Sequence, residues 1–173
     1  RAEQGDACAL GSLACGEFDA VLLMGPLYHL QQQAERERAA AQAFAALRDG
    51  GYVFAASINS YAGVMYYLQN DPALILDATE CEYLAAIERG EAYSGCGFTQ
   101  MHFMSHDALI ALMCGAGFKQ LHLVNSEGMC SPREADIAAR PELLERWLKL
   151  SLSVCERPEL YGMAKHLLFV GRK

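Results

Sequence analysis

The chain has 173 residues, 53% of them hydrophobic and 20% charged, with a formal net charge of −7. That length is about one domain, able to bury roughly 70% of its unfolded surface, and its apolar content separates it from disordered chains. The acidic balance excludes nucleic acid as a partner, since phosphate backbones are held by lysine and arginine, and no apolar run approaches the roughly 20 residues that cross a bilayer, so no membrane partner is expected.

The first strong element is the apolar run Phe18-Asp19-Ala20-Val21-Leu22-Leu23-Met24, read as a strand with helices over both faces of its sheet. Gly25-Pro26 stops it, and a loop carrying Leu27, Tyr28, His29 and Leu30 follows. From about Ala34 a helix places Ala40, Ala43, Phe44 and Leu47 on one side, with Glu35 and Glu37 near its start, Arg48 near its end and Gly50 at a left-handed cap. A second apolar run, Tyr52 to Asn59, completes a βαβ unit, so Met24 and Asn59 are expected at one crevice beyond the carboxyl ends of two parallel strands.

Residues 60–100 read as a helical insertion. Asn70-Asp71-Pro72 offers a cap, Thr79-Glu80-Cys81-Glu82 reads as a capping box, and Tyr83, Leu84 and Ile87 form an apolar stripe. Ser105 caps a helix from His106 to about Cys114; a strand runs from Lys119 to Asn125; Ser131-Pro132-Arg133-Glu134 reads as a further capping box. Pro141 to about Cys155 reads as a helix lying on the body of the domain, Pro158 opens a brief helical turn, and Lys165 to Gly171 is the last strand.

Seven cysteines lie scattered without a Cys-x-x-Cys pair, most within apolar segments, which fits free thiols in a reducing, cytoplasmic setting. No metal is expected: Cys96, His102 and His106 are the nearest set and lack a fourth ligand. An imidazole at His29 has the chemistry of a general base, or of a loop anchor lining a pocket. Tyr61, Tyr66 and Tyr67 with Asn59 follow the second strand; aromatic faces there can stabilise a bound cation by roughly 0.5–2 kcal/mol, or simply pack the insertion. Glu127 and Arg133 read as solvated surface groups within reach of a pocket rim.

Taken in order, Gly5-Asp6-Ala7, Phe18-Asp19-Ala20-Val21, Gly25-Pro26-Leu27-Tyr28-His29-Leu30, Leu47-Arg48-Asp49-Gly50-Gly51, Phe98-Thr99, Ala116-Gly117-Phe118 and His166-Leu167-Leu168-Phe169-Val170 resemble the second half of a class I S-adenosylmethionine-dependent methyltransferase. The resemblance implies an α/β, Rossmann-like, mostly parallel sheet with flanking helices and an antiparallel final strand. It implies S-adenosylmethionine as cofactor, with adenine roles for Asp6 and Ala7, the methionyl part near Met24 and Gly25, and His29 at its edge. The 60–100 insertion would cover the pocket of a small-molecule acceptor, lined by Tyr28, Asn59, Tyr61 and Tyr66. The family's Gly-x-Gly-x-Gly turn and its ribose-binding acid do not occur, and Arg1-Ala2-Glu3-Gln4 resembles the tail of the family's third strand, so the domain is expected to be incomplete at the N-terminus, with an unpaired apolar edge beside Val21–Leu23. A non-catalytic methyltransferase-like binding subunit is the alternative; an α/β hydrolase is disfavoured by the lack of Gly-x-Ser-x-Gly.

Overall fold

In the computed structural model of the chain, residues 2–13, 17–97 and 99–173 are described; Arg1, Cys15 and Phe98, which figured in the expectations above, lie outside them. The apolar run forms strand β1 (Phe18–Leu23), and Pro26 opens a four-residue helix, α1 (Pro26–His29), directly after Gly25 at φ +136°. Helix α2 (Gln33–Ala46) begins in a capping box between Gln32 and Glu35, and its buried face is Ala39, Ala40 and Ala43. Small side chains on that face let the helix lie close against the sheet. Strand β2 (Leu47–Asn59) follows without a loop, so the helix ends before Gly50. Gly50 is indeed left-handed, at φ +78°, but it sits in the irregular stretch where Phe18 pairs Leu47 and Ala20 pairs Tyr52, and it is not a helix cap.

Helix α3 (Ala62–Asn70), 3₁₀ turns at Pro72–Leu76 and Ala78–Glu80, and helix α4 (Cys81–Glu88) follow. The expected capping box at Thr79–Glu82 is absent; Asp77 instead accepts from the Thr79 amide, and Asp71 caps the Pro72 turn through the Ala73 amide. Strands β3 (Tyr93–Cys96) and β4 (Gln100–Met104) form a hairpin that the sequence pattern did not reveal. Helix α5 (His106–Gly115) is capped by Ser105, whose hydroxyl accepts from the Ala108 amide, and β5 (Lys119–Asn125) follows. A 3₁₀ turn at Gly128–Arg133 runs into helix α6 (Glu134–Ala138) with no side-chain cap, so the second expected capping box is also absent. Helix α7 (Pro141–Val154), a turn at Pro158–Met163 and strand β6 (His166–Arg172) complete the described chain.

The sheet has the order β3-β4-β2-β6-β5, with β1 also pairing with β2. Two of the described pairings are parallel, β1 with β2 and β2 with β4, and three are antiparallel. The mostly parallel sheet expected from sequence is therefore mixed. The reason is the position of β6, which runs against both β2 and β5 and so contributes two antiparallel ladders while β1, β2, β4 and β5 share one direction.

One core joins Leu23, Leu27, Val53, Met113, Phe118 and Phe169; a second, at the carboxyl end of β2, joins Ile58, Tyr67, Tyr83, Met101 and Phe103. Burial alternates along β2: Val53, Ala55 and Ser57 are buried and Tyr52 is exposed, so the described elements fully cover one face only, not two. Helix α7 likewise buries none of its residues; Leu144, Leu148 and Leu152 stand exposed at i, i+4 and i+8, so it does not seal onto the body as expected. Of the cysteines described, Cys81, Cys96 and Cys114 are exposed and Cys8, Cys130 and Cys155 half-buried, all as free thiols.

Strand β1 pairs with β2 alone among the described strands, and Leu22 on it is 69% exposed. An apolar strand of this kind templates pairing with other chains. Leu22→Lys is expected to shift the protein toward monomer in sedimentation velocity while changing unfolding free energy by only about 0.5 kcal/mol. A wild-type chain that already sediments as monomer at high concentration would refute this.

Candidate functional site

The carboxyl tips of β1, β2 and β4 converge where α3, α4 and the β3–β4 hairpin fold over the sheet. Between them lies a cavity of about 710 Å³. Its floor is Ile58 from β2 with Met101 and Phe103 from β4; α3 contributes Tyr66 and Tyr67, and Tyr83 and Tyr93 close the far side.

The aromatic wall is held by polar tips. The Tyr83 hydroxyl donates to the Ser60 carbonyl (2.7 Å) and accepts from the Val64 amide (3.1 Å), fixing α3 to α4. Its ring lies 5.4 Å from both Tyr93 and Phe103. The Tyr67 hydroxyl donates to Glu80 (2.5 Å); burial first, and then that carboxylate, push the Tyr67 phenol well above its ordinary range, so it remains a proton donor.

On the opposite wall stand Tyr28 and His29 of α1 and Lys165 and His166 at the start of β6. The loop after α1 is clamped by Arg36, buried in α2, whose guanidinium donates to the carbonyls of Leu30 (2.8 Å) and Gln31 (3.0 Å); burial lowers its pKa. His29 Nδ1 is 3.3 Å from the Gln100 carbonyl. His166 pairs through Nδ1 with Glu127 Oε1 at 2.6 Å, and Glu127 Oε2 accepts from the amides of Lys165 and His166, both at 3.1 Å. Burial acts to raise the Glu127 pKa, but these bonds prevail and hold it lowered, as a carboxylate. Lys165 Nζ donates to Gln69 at 2.7 Å.

Of the residues singled out in sequence, Tyr28, His29, Tyr66 and Tyr67 line this cavity. Asn59 does not: it is buried, its side-chain amide donates to the Tyr161 (2.6 Å) and Ala164 (3.0 Å) carbonyls, and its assignment to an acceptor is corrected to one of pinning the turn before β6. Met24 and Asn59 thus share no pocket; Met24 is 49% exposed. Tyr61, 47% exposed, is also off the cavity wall. Asp6 and Ala7 lie apart from it as well, where Asp6 Oδ1 accepts from the Cys8 amide at the head of a 3₁₀ turn, Ala7–Leu13, packed on α2. Arg133 is exposed and paired with Asp136. No group of three or more His, Cys, Asp or Glu suited to a metal occurs among the described residues.

Glu80 and Tyr83 read in sequence only as helix-capping and packing residues and Tyr93 not at all, while Glu127, which reads as a solvated group within reach of a pocket rim, is half-buried and paired with His166, which the sequence does not place at the site. A usable signal existed for His166: an antiparallel last strand brings its first residue to the carboxyl tip of its neighbour, and His166 is indeed in register with Ile58.

Tyr28 connects two regions. It lines the cavity, and its hydroxyl stands 3.9 Å from where a Cβ on Gly25 would lie; among the described residues, nothing else beyond Gly25 and its two chain neighbours comes within 4 Å of that point. The backbone at the tip of β1 is therefore open beside the cavity.

No protein-family model matches the sequence, and no curated protein matches it. Solved structures do. The chain is similar to an S-adenosylmethionine-dependent methyltransferase of Methanosarcina mazei (14% identity over 98% of this chain and 65% of that one, TM-score 0.53). It is similar to one of Archaeoglobus fulgidus (14%, 99% and 66%, TM-score 0.53). A third, from Thermotoga maritima, described as a possible histamine N-methyltransferase, matches at 18% identity over 98% of this chain and 62% of that one, TM-score 0.52. The chain spans between 62% and 66% of the length of these proteins. At these identities the likeness establishes the fold, which is that of the class I S-adenosylmethionine-dependent methyltransferases.

Proposed function

We propose that the protein is an S-adenosylmethionine-dependent methyltransferase for a small-molecule acceptor and that the 710 Å³ cavity is its acceptor pocket. The observation that carries this reading is the junction at Tyr28, where an aromatic pocket adjoins an open glycine backbone at the tip of β1. Crevices at strand carboxyl ends are where open α/β sheets bind ligands.

The residues present fit one side of the cofactor. Gly25 leaves its backbone approachable, exposed Met24 offers an apolar contact for a methionyl chain, and Asp6 with Ala7 offers a turn suited to an adenine edge. The glycine-rich turn and the ribose-binding acid are not in this sequence. When bound, S-adenosylmethionine supplies an electrophilic methyl group on a sulfonium that departs as a neutral thioether. The chain's own part is to hold the acceptor: Tyr28, His29 and Tyr66 line its seat, and Tyr67, Tyr83 and Tyr93 from the 60–100 segment supply its aromatic wall. Alignment of this kind is worth on the order of 7–11 kcal/mol in favourable cases.

The test is a titration of the full-length protein with S-adenosylhomocysteine. At about 100 times Kd the protein gains about 2.7 kcal/mol, a rise in Tm of about 5–11 °C. No heat of binding and no shift at millimolar ligand would sink the reading and favour the non-catalytic binding subunit.

A further inference from the structure

Two histidines face the cavity, and their surroundings differ. His29 Nδ1 meets a neutral backbone carbonyl, that of Gln100, at 3.3 Å. His166 Nδ1 meets the Glu127 carboxylate at 2.6 Å, and that carboxylate is itself fixed by two backbone amides. A carboxylate on one ring nitrogen sets the tautomer: Nδ1 carries the proton, and Nε2 is left as the free base. The same carboxylate offsets the positive charge that develops when Nε2 is protonated, a service the Gln100 carbonyl performs far less well for His29. Tyr28 packs edge-on against the His166 ring at 6.0 Å and restricts its orientation.

The cavity that His166 lines is aromatic on its other walls. Tyr67, Tyr83, Tyr93 and Phe103 suit a planar ring, which packs edge-to-face or offset against such side chains. A phenol ionises near pH 10, whereas an aliphatic hydroxyl ionises far closer to the value for water, about 15.7, so a phenolic proton is the better match to an imidazole base.

We propose that His166, held by Glu127, is the base that takes the proton from the hydroxyl group of an aromatic acceptor bound in this cavity. The inference rests on the acceptor-pocket reading above and adds to it both the acceptor class and the base. In the step, the acceptor O–H bond breaks, its electron pair stays on the oxygen, and the proton passes to His166 Nε2. The resulting imidazolium is paired with Glu127 and later returns its proton to water. His166 is the catalytic residue; Glu127 is a positioning residue. The other titratable groups around the ring are Tyr28 and His29 on α1, Lys165 beside it and Glu80 across the cavity.

Para-nitrophenol reports this step without a cofactor, because its phenolate absorbs visible light and its phenol does not. Mixed with the full-length protein about one pH unit below its own midpoint, the bound probe is expected to show the phenolate band, with binding followed separately by calorimetry. H166Q should cut the bound phenolate fraction about tenfold with affinity changed less than about threefold. E127Q, which keeps the shape of the pair, should cut it about three- to tenfold. A band that survives in H166Q with the probe still bound, or one lost in H29Q but not in H166Q, overturns the assignment. Wild-type protein that binds S-adenosylhomocysteine but not the probe overturns the aromatic-acceptor inference alone, while failure to bind S-adenosylhomocysteine strikes the underlying reading.

Discussion

Asn59→Ala should destabilise the protein by about 3–5 kcal/mol, a loss of about 6–20 °C in Tm for a chain of this size. The side-chain amide of Asn59 is the shared donor for the Tyr161 and Ala164 carbonyls, and its oxygen lies 3.4 Å from the Tyr61 amide. Asn59 is 3% exposed and Ala164 fully buried, so water cannot replace these bonds. Each carbonyl stranded without a donor costs about 1–3 kcal/mol. Chemical denaturation followed by circular dichroism reads the loss. The same variant should leave the affinity for para-nitrophenol within about threefold, since Asn59 is not on the cavity wall. A stable variant with collapsed affinity would restore Asn59 to the binding site and remove it from the scaffold.

The second large effect is a dependence on acid. His102 on β4 is 4% exposed, its Nδ1 lies 2.7 Å from the Ser94 hydroxyl, and its pKa is lowered from 6.5 to about 4, chiefly by burial and then by the nearby Arg36 guanidinium. The fold thus keeps the imidazole neutral. Between pH 4 and 6.5 the unfolded chain binds a proton at this position and the folded chain does not, so stability rises with pH across that window. The contribution is complete above pH 6.5 and is lost as pH falls through 4, amounting to about 3 kcal/mol. Carboxylates add acid sensitivity of their own, so the diagnostic quantity is a difference. The stability lost between pH 7 and pH 4 should be about 3 kcal/mol smaller in His102→Gln than in wild type. Identical losses in the two proteins would show that protonation of His102 is not coupled to unfolding.

Where local chemistry decides the conformation, the residues announced it. Gly25-Pro26 ends β1 and starts α1, Ser105 caps α5, and β5 runs from Lys119 to Asn125 as expected. Tertiary context decided the rest. The hairpin β3–β4 is built on Tyr93-Ser94-Gly95-Cys96, a poor strand former alone, and exists because Phe103 and Met104 are in register with Ile58 and Asn59 of β2. The apolar run of β1 reads as belonging to a sheet covered on both faces, yet periodicity reports only what a surface is suited to touch, and Leu22 on β1 and Tyr52 on its neighbour β2 stand exposed among the described elements. The cavity was half legible. Tyr28 and His29 follow a strand-ending Gly-Pro and so advertise a loop at a crevice, whereas Asn59, the last residue of its strand, turns inward to Tyr161 and Ala164. Position at a strand tip identifies the end of the sheet, and the side chain's partners then decide which way it faces. Glu127 and His166, 39 residues apart, meet only because β5 and β6 pair.

The placement of β6 carries a consequence for synthesis. The strand contributed by residues 166–172 lies between β2 and β5, so both of those strands await a partner that the ribosome makes more than a hundred residues after β2. Until it emerges, the nascent polypeptide holds two unzipped ladders and a pocket lacking one wall. Ligand recognition is thereby deferred until the segment carrying His166 has left the ribosome, and a stop ahead of His166 would yield neither a continuous sheet nor a partially competent protein.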